Sequence, residues 1–239
     1  MSNSTRDQFN DLLRSEGLNA GIIPVSNIPN EESRLNEVNR LGILNRDLDQ
    51  EAQYNALTQL AAIITKSQIG LINILGSNIQ QCKTNFGFNV LESTLTEEMP
   101  REISICQYSL ASPQEPLIIN DLFLDERTKH FKKLEAYENL RFYAGSPLIS
   151  SRGFSIGTLC VIDDKPKKIE HDQIEGLRLL ADQVVNMLEQ EFNDNSNQNI
   201  DLEDRSNVIE TNRITKYFST SSILFADFVG FTKLVEIME

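Results

Sequence analysis

The chain has 239 residues, a formal net charge of −13 at pH 7, a sequence pI near 4.7 and 40% hydrophobic residues. The hydrophobic content predicts a packed core, whereas the acidic charge argues against binding to nucleic acid, because a polyanion would be repelled. No stretch approaches the roughly eighteen apolar residues of a membrane span, and the polar N-terminus lacks the apolar core of a signal peptide.

The cysteines and histidines are few. Cys82, Cys106 and Cys160 are an odd set without Cys-x-x-Cys spacing, which argues against a disulfide framework and a structural zinc site. We therefore expect a protein of the reducing cytoplasm. The two histidines, His130 and His171, are far apart in sequence and give no pattern of metal ligands.

The N-terminal third predicts a leader and two helices. Residues 1–30 are rich in turn-forming residues and predict a flexible leader. Apolar residues then recur at helical spacing in two stripes, with a break near Gly42. The stripes are Leu35, Val38, Leu41 and Leu44, and then Leu57, Leu60, Ala61 and Ile64.

Two hairpins are predicted farther along the chain. Strands at 69–75 and 79–84 flank a turn, and strands at 146–150 and 154–162 flank a second one. Between the hairpins lie a short strand at 117–119 and a polar helical stretch at 126–140. The strand at 154–162 is apolar or small on both faces, which predicts that the sheet is covered on both sides.

A final helix is predicted at 171–192, followed by a polar linker at 193–217. Its apolar residues recur at spacings of 3, 4, 3 and 4, which is typical either of a dimer seam or of a stripe that packs on the domain's own sheet. Both interpretations remain open from the sequence. The seam residues are Ile174, Leu177, Ala181, Val184 and Leu188.

Two motifs stand out in the second half of the chain: Arg-Phe-Tyr-Ala-Gly-x-Pro-Leu at 141–148 and Gly-x-x-Ile-Gly-Thr-Leu-Cys-Val-x-Asp at 153–163. Through them above all, the region 31–192 resembles a bacterial GAF sensory domain. The resemblance implies an α+β fold: a central antiparallel sheet with helices on one face and a ligand-pocket lid, at about 85–140, on the other. It also implies pocket-facing positions at Cys106, Asp121, Phe142, Tyr143, Ala144, Thr158 and Cys160.

The resemblance does not identify the ligand. Covalent bilin binding is disfavoured because Cys106 is followed by Gln107 rather than histidine. The Asn-Lys-Phe-Asp pattern of GAF domains that bind cyclic nucleotides has no convincing counterpart. An empty domain that serves only as a dimerisation scaffold remains an alternative, as does a thiol-dependent reductase that uses the cysteines.

The segment 218–239 resembles the start of a class III adenylate or guanylate cyclase domain, in the run Phe-Ala-Asp-Phe-Val-Gly-Phe-Thr at 225–232. The resemblance makes Asp227 the first ligand of Mg²⁺, with a second Asp expected farther downstream. We therefore expect this chain to be the regulatory part of a cyclase, catalytically incomplete alone, that forms a homodimer and binds an unknown small molecule.

Overall fold

The computed structural model describes residues 11, 14–17, 19–46, 48, 51–87, 98–134 and 137–205, with side chains to residue 194. The chain divides into two compact units, 1–186 and 187–239, and only 187–205 of the second is described. The helices are α1 (Glu31–Leu41), α2 (Ala52–Ile64), α3 (Gln107–Ala111) and α4 (His171–Arg205). The strands are β1 (Ile69–Leu75), β2 (Ile79–Phe86), β3 (Glu98–Pro100), β4 (Leu117–Ile119), β5 (Phe142–Ile149) and β6 (Ser155–Asp163). Short 3₁₀ turns lie at Ile43–Asn45, Arg101–Ile103 and Phe131–Lys133.

The six strands form one antiparallel sheet in the order β3-β2-β1-β6-β5-β4. The two central strands, β1 and β6, are therefore far apart in sequence. Every residue of both is buried. The predicted two-sided cover is thus confirmed, and the α+β fold class with it.

One face of the sheet carries the helices. Gly70 of β1 makes close packing with α2 possible, because a Cβ at this position would lie 3.0 Å from the carbonyl carbon of Thr58. The first turns of α4 pack against the end of α2, where Gln173 Nε2 donates a hydrogen bond to the Ile64 carbonyl oxygen at 2.8 Å. We call this side the helix face.

Arg34 of α1 fastens that helix to the strand ends. Its guanidinium is only 2% exposed and donates to the carbonyl oxygens of Leu75 at 2.7 Å, Gly76 at 3.2 Å and Ser155 at 3.3 Å. Two further hydrogen bonds reach the carboxylate of Glu31. One side chain therefore satisfies three backbone acceptors at the end of β1 and the start of β6.

The other face carries the lid. It consists of the described residues between β2 and β5 that do not belong to the edge strands β3 and β4. Its apolar side chains pack on β1, β5 and β6 in one continuous core. Aromatic rings fill much of it: Phe131 and Tyr137 meet edge to face with centroids 4.8 Å apart. We call this side the lid face.

The lid differs from the sequence prediction. Residues 126–134 and 137–140 form turns and one 3₁₀ turn rather than an α-helix. Asp125 explains part of this, because its carboxylate accepts a hydrogen bond from the backbone N–H of Arg127 and so favours a turn. The short elements β3 and α3 were not predicted.

The predicted flexible leader is corrected for residues 19–30, while residues 1–10 lie outside the described part. Ala20 and Ile22 are buried in the lid-face core. Lys133 Nζ donates to the Ala20 carbonyl at 2.8 Å, and Gln107 Oε1 accepts from the Val25 N–H at 2.8 Å. These contacts are distant in sequence, which is why local turn composition could not reveal them.

The stripe on α4 is largely buried within a single chain. Leu177, Ala181, Val184 and Leu188 are buried, and Ile174 is half-buried. These side chains are thus not exposed as a dimer seam, and of the two interpretations the structure favours packing within the chain.

The helix α4 also continues through the first part of the predicted linker and ends at Arg205. The run Asn193–Asn199 contains neither glycine nor proline, and extending an existing helix costs little. The rest of the linker and the segment 218–239, including Asp227, lie outside the described residues. No helix in the described part of the chain is both long enough and apolar enough to cross a membrane.

Candidate functional site

The candidate site is a row of polar side chains on the lid face at the centre of the sheet. Asn73 of β1 lies directly opposite Thr158 of β6 on one side and Cys82 of β2 on the other. Cys160 of β6 lies two residues along from Thr158 and therefore on the same face. Cys106, from the lid, lies above them. We call these five residues the central cluster.

Asn73 connects the two buried cysteines. Its Nδ2 donates to Cys106 Sγ at 3.5 Å and to Cys160 Sγ at 3.4 Å. Its other amide atom, Oδ1, is buried and has no hydrogen-bond partner. An unsatisfied carbonyl oxygen in an apolar interior costs on the order of 1–3 kcal/mol, so this atom is a specific place for a donor from outside the chain.

Tyr143 of β5 adds a third donor. Its hydroxyl donates to Cys106 Sγ at 3.3 Å. The ring lies over Gly145, two residues along the same strand, where a Cβ would be 2.8 Å from the ring carbon Cζ. Glycine at 145 therefore gives the ring the space it needs to reach Cys106.

The hydrogen bonds give the two buried thiols opposite acidities. Burial raises the pKa of Cys106, but the neighbouring Cys160 thiol and Thr158 hydroxyl and the hydrogen bonds from Tyr143 and Asn73 outweigh it and lower that pKa to about 7. The pKa of Cys160 is raised well above its usual value, first by its interaction with Cys106 and then by burial. Of the two buried thiols, Cys106 is therefore the more acidic.

The same environment acts on the tyrosine. Burial raises the pKa of the Tyr143 hydroxyl well above its usual value, and the neighbouring thiol groups of Cys106 and Cys160 raise it further. The phenol therefore stays protonated and acts as a hydrogen-bond donor toward Cys106.

Four of the seven predicted pocket residues come together here: Cys106, Tyr143, Thr158 and Cys160. Phe142 and Ala144 do not, and their expected pocket-facing positions are corrected. Side chains alternate along a strand, so these two lie on the helix face, opposite to Tyr143. The Lys167 ammonium lies 4.8 Å from the centroid of the Phe142 ring and donates to the Thr65 carbonyl at the end of α2, on the helix face.

Asp121 also lies outside the central cluster. Its carboxylate forms a two-point ion pair with Arg141, at 2.6 and 3.1 Å, and accepts a hydrogen bond from the Phe123 N–H at 3.0 Å. The Arg141 guanidinium in turn lies 4.7 Å from the centroid of the Phe123 ring. This carboxylate therefore fixes the loop that follows β4, and does not point into the lid-face core with the cysteines.

The sequence contained an unused signal for Asn73. It is the only strongly polar residue in the strand Ile-Gly-Leu-Ile-Asn-Ile-Leu, which is buried throughout. A single amide in such a strand requires buried partners. Cys82 could be assigned to the central cluster only once the register between β1 and β2 was known. That register places Cys82 opposite Asn73, where it packs against the core.

The donor set of the central cluster suits a polar organic molecule or thiol chemistry better than a metal ion. Among the residues that the structure describes, no group of three or more His, Cys, Asp or Glu side chains lies close enough to hold a metal. The cluster and the adjoining Tyr143 instead offer three thiols, an amide and two hydroxyls.

The family model described as GAF domain matches residues 49–188. The chain belongs to the GAF domain family. A cyclic di-GMP phosphodiesterase of Pseudomonas aeruginosa is 29% identical over 137 residues, which cover 57% of this chain and 22% of that protein. The similarity thus spans less than a quarter of the phosphodiesterase.

One solved structure agrees with this assignment at the level of the fold. The GAF domain of PixJ from Thermosynechococcus elongatus, in its blue-light absorbing form, gives a TM-score of 0.51 at 13% identity and covers 70% of this chain and 94% of that one. A GAF domain region of a Geobacter sulfurreducens putative membrane protein gives 0.49 at 17% identity, covering 62% and 98%. In this GAF domain the central cluster occupies the middle strands, beneath the lid.

Proposed function

We propose that this GAF domain is a regulatory module of a nucleotidyl cyclase, and that it responds to a small polar molecule bound beneath its lid. The ligand-binding part of the proposal rests on one observation: Asn73 Oδ1 is buried at the centre of the sheet without a hydrogen-bond partner. Asn73 is 1% exposed, so bulk solvent does not reach this oxygen. A bound molecule that donates a hydrogen bond would remove the cost of leaving it unpaired.

The surroundings limit the ligand's chemistry. Apolar side chains and the ring of Tyr143 surround the central cluster, so the molecule has to present apolar surface to them beside at least one hydrogen-bond donor. A molecule that enters also has to move part of the lid, because side chains already pack over β1 and β6. Ligand binding and lid movement are therefore one event in this proposal.

Contacts within the GAF domain offer a route from this site to α4. The residues of β6 alternate between the central cluster and the helix face, so a shift of this strand acts on both layers. On the helix face α2 packs on β1, β2 and β6. The end of α2 in turn accepts the hydrogen bond from Gln173 of α4. Spatial continuity of this kind is a hypothesis about coupling and requires a direct test.

The cyclase half of the proposal is supported by the motif at 225–232, whose residues lie outside the described part. It is also in keeping with the relative from Pseudomonas aeruginosa, a cyclic di-GMP phosphodiesterase that is similar to this chain over 137 residues. In the cyclases that the motif resembles, Asp227 would bind Mg²⁺ and two subunits would share each active site. The homodimer is thus part of the proposal, but its contact would have to use surfaces other than the buried stripe on α4.

A thermal-shift panel tests ligand binding. Melting of the full chain would be measured with cyclic nucleotides, haem, tetrapyrroles and common metabolites, since a molecule that binds the native state raises the melting temperature. We expect at least one shift that is lost in Asn73→Leu and kept in Ser146→Ala, which removes a buried hydroxyl from the helix face. A shift of equal size in both variants would refute the site, and no shift from any compound would favour the empty scaffold.

A chimaera tests the cyclase half. Residues 1–239 would be joined to the remainder of a class III cyclase catalytic domain, and cyclic nucleotide formation measured with Mg²⁺. We expect activity that falls by about 10²-fold or more in Asp227→Ala, because a metal ligand is lost, and little change in Glu236→Ala from the same segment. Equal activities of these two variants would exclude the metal role of Asp227.

The structure gives the reductase alternative little support. A reductase needs its attacking thiol open to an organic substrate in every turnover, which asks for a wider opening than a peroxide molecule does, whereas Cys106 and Cys160 are 3% and 0% exposed.

A further inference from the structure

The central cluster contains a pair of thiols that the proposed function does not use. Cys106 and Cys160 come from the lid and from the central strand β6, and both sulfurs lie within 3.5 Å of the same amide nitrogen of Asn73. Two sulfurs that share one donor nitrogen are neighbours within the central cluster. Neither cysteine is in a disulfide.

Their surroundings assign different chemical roles to the two sulfurs. Cys106 Sγ accepts hydrogen bonds from Tyr143 and Asn73, which stabilise a negative charge on it. Cys160 carries the proton in the pair. A thiolate with a neutral thiol beside it is the arrangement that thiol–disulfide chemistry requires, in which one sulfur attacks and the second resolves.

We propose that Cys106 and Cys160 form an oxidisable dithiol, which a hydroperoxide converts into a disulfide that ties the lid to the sheet. The Cys106 thiolate attacks one peroxide oxygen, the O–O bond breaks, and the leaving hydroxide takes up a proton to become water. The sulfur of Cys160 then attacks the Cys106 sulfenic acid. The S–S bond forms, and the hydroxyl group leaves as water with the Cys160 proton. In sum, two thiols and one hydrogen peroxide give one disulfide and two waters.

The bond would change how the lid behaves. Cys106 immediately precedes α3, and Cys160 lies at the middle of the sheet, where it pairs with Leu71 and Gly145. In the reduced protein only non-covalent packing and hydrogen bonds hold this part of the lid in place. The disulfide would make opening at Cys106 impossible without bond cleavage, and would remove the thiolate that Asn73 and Tyr143 stabilise.

The same site is proposed to admit a ligand, but the redox inference does not depend on the ligand. A lid that opens far enough for a peroxide molecule is sufficient. Failure of the thermal-shift panel would leave the dithiol untouched, and failure to form the disulfide would leave ligand binding at Asn73 open.

The test is oxidation of the folded full chain by hydrogen peroxide in modest molar excess near neutral pH. Free thiols would be counted before and after, and the cross-linked peptides mapped by mass spectrometry without reduction. With three cysteines in the chain, we expect the count to fall from three to one, with a Cys106–Cys160 cross-link as the product. The melting temperature should rise on oxidation and return to its starting value with dithiothreitol.

Two variants separate this outcome from others. Cys82→Ser is the matched control, since Cys82 packs at the same core, and it should form the same cross-link. In Cys160→Ser the reaction should stop at a sulfenic acid on Cys106, detectable with dimedone. If Cys160→Ser does not fold, the peptide map of the unmodified chain decides alone. A cross-link through Cys82, a cross-link between chains, or oxidation only after unfolding would each overturn the proposal.

Discussion

The ring of Tyr143 lies over Gly145, two residues farther along β5, and reaches past it to donate a hydrogen bond to Cys106. The absence of a side chain at 145 thus determines the environment of a sulfur that comes from the lid. A methyl group added at position 145 should therefore disturb the hydrogen bond between Tyr143 and Cys106.

Gly145→Ala should displace the Tyr143 ring, because the new Cβ would lie 2.8 Å from its Cζ atom. We expect a loss of about 1–3 kcal/mol in the free energy of unfolding, typical of overpacking in a core. We also expect the pKa of Cys106 to rise, since one of its hydrogen-bond donors moves away. The rate of thiol alkylation as a function of pH measures that pKa.

Tyr143→Phe and Tyr137→Phe are the matched variants for this prediction. The first removes the hydroxyl that donates to Cys106 and should also raise its pKa. The second removes a buried hydroxyl from the same core, one that donates to the Ile103 carbonyl at 3.0 Å, and should destabilise the fold with a smaller effect on the thiol. Equal alkylation profiles for all three variants would contradict the role of Tyr143.

The Asp121–Arg141 pair should make stability depend on pH. The hydrogen bond from Arg141 is the main cause that lowers the pKa of Asp121 in the folded protein, against the opposing effect of burial. A folded pKa below the unfolded value means that the stabilisation is complete above the unfolded pKa and is lost as pH falls through the folded one. Asp121→Asn should therefore lower the free energy of unfolding by about 1–2 kcal/mol at neutral pH. The loss should become progressively smaller below the ordinary pKa of an Asp, which is about 3.9.

A double-mutant cycle with Arg141→Gln checks this assignment, with urea unfolding as the measurement at each pH. A coupling energy near zero at neutral pH would mean that the ion pair does not hold the loop. A difference between Asp121→Asn and the parent that grows toward acidic pH would contradict the sign.

Arg34→Lys should be strongly destabilising although it keeps the charge. Lysine cannot reproduce the planar fork with which Arg34 donates to Leu75, Gly76 and Ser155. We expect the free energy of unfolding to fall by about 2–4 kcal/mol, because buried carbonyl oxygens are left without hydrogen-bond donors. Arg152→Lys in the turn between β5 and β6 is the control, because the Arg152 side chain is 60% exposed and should tolerate the change. Similar urea midpoints for the two variants would count against the special role of Arg34.

Val184→Asp should unfold the monomer rather than dissociate a dimer. Val184 is 0% exposed within the single chain, so the substitution buries an unpaired charge in the core. A loss of more than about 4 kcal/mol is expected, against almost none for Gln183→Asp at the exposed neighbouring position. Urea unfolding and sedimentation of both variants distinguish the two causes. A folded Val184→Asp monomer beside a dimeric parent would restore the seam hypothesis.

The fold was predictable because its main signals are local. The run of apolar and small residues at 154–162 indicated a strand covered on both faces, and the motifs at 141–148 and 153–163 already resembled the GAF family at the level of sequence. The apolar stripe on α4 was also visible in the sequence, but the surface against which it packs was not. A 3-4 spacing is the same whether a helix packs on its own domain or on a second copy.

The site was predictable only in part. Phe142 and Ala144 belong to the same motif as Tyr143, and only the strand's alternation separates them, onto the helix face. Asp121 was expected in the pocket, whereas Arg141, twenty positions later, holds it in the loop. Asn73 stands out locally as the polar residue of an apolar strand, but its partners, Cys106 and Cys160, lie 33 and 87 positions away, so the sequence did not show which groups it joins.

The pairing of β1 with β6 has a consequence for how this domain is made. The central ladder joins Ile69 to Ile162, so β1 cannot acquire its inner neighbour until nearly the whole domain has left the ribosome. Until then β1, which is apolar apart from Asn73, has one unpaired edge, which is a site for aggregation. Long-range pairing of this kind also slows folding. Nascent chains that stop short of β6 should therefore depend on chaperones, whereas those that extend past Asp163 can complete the sheet.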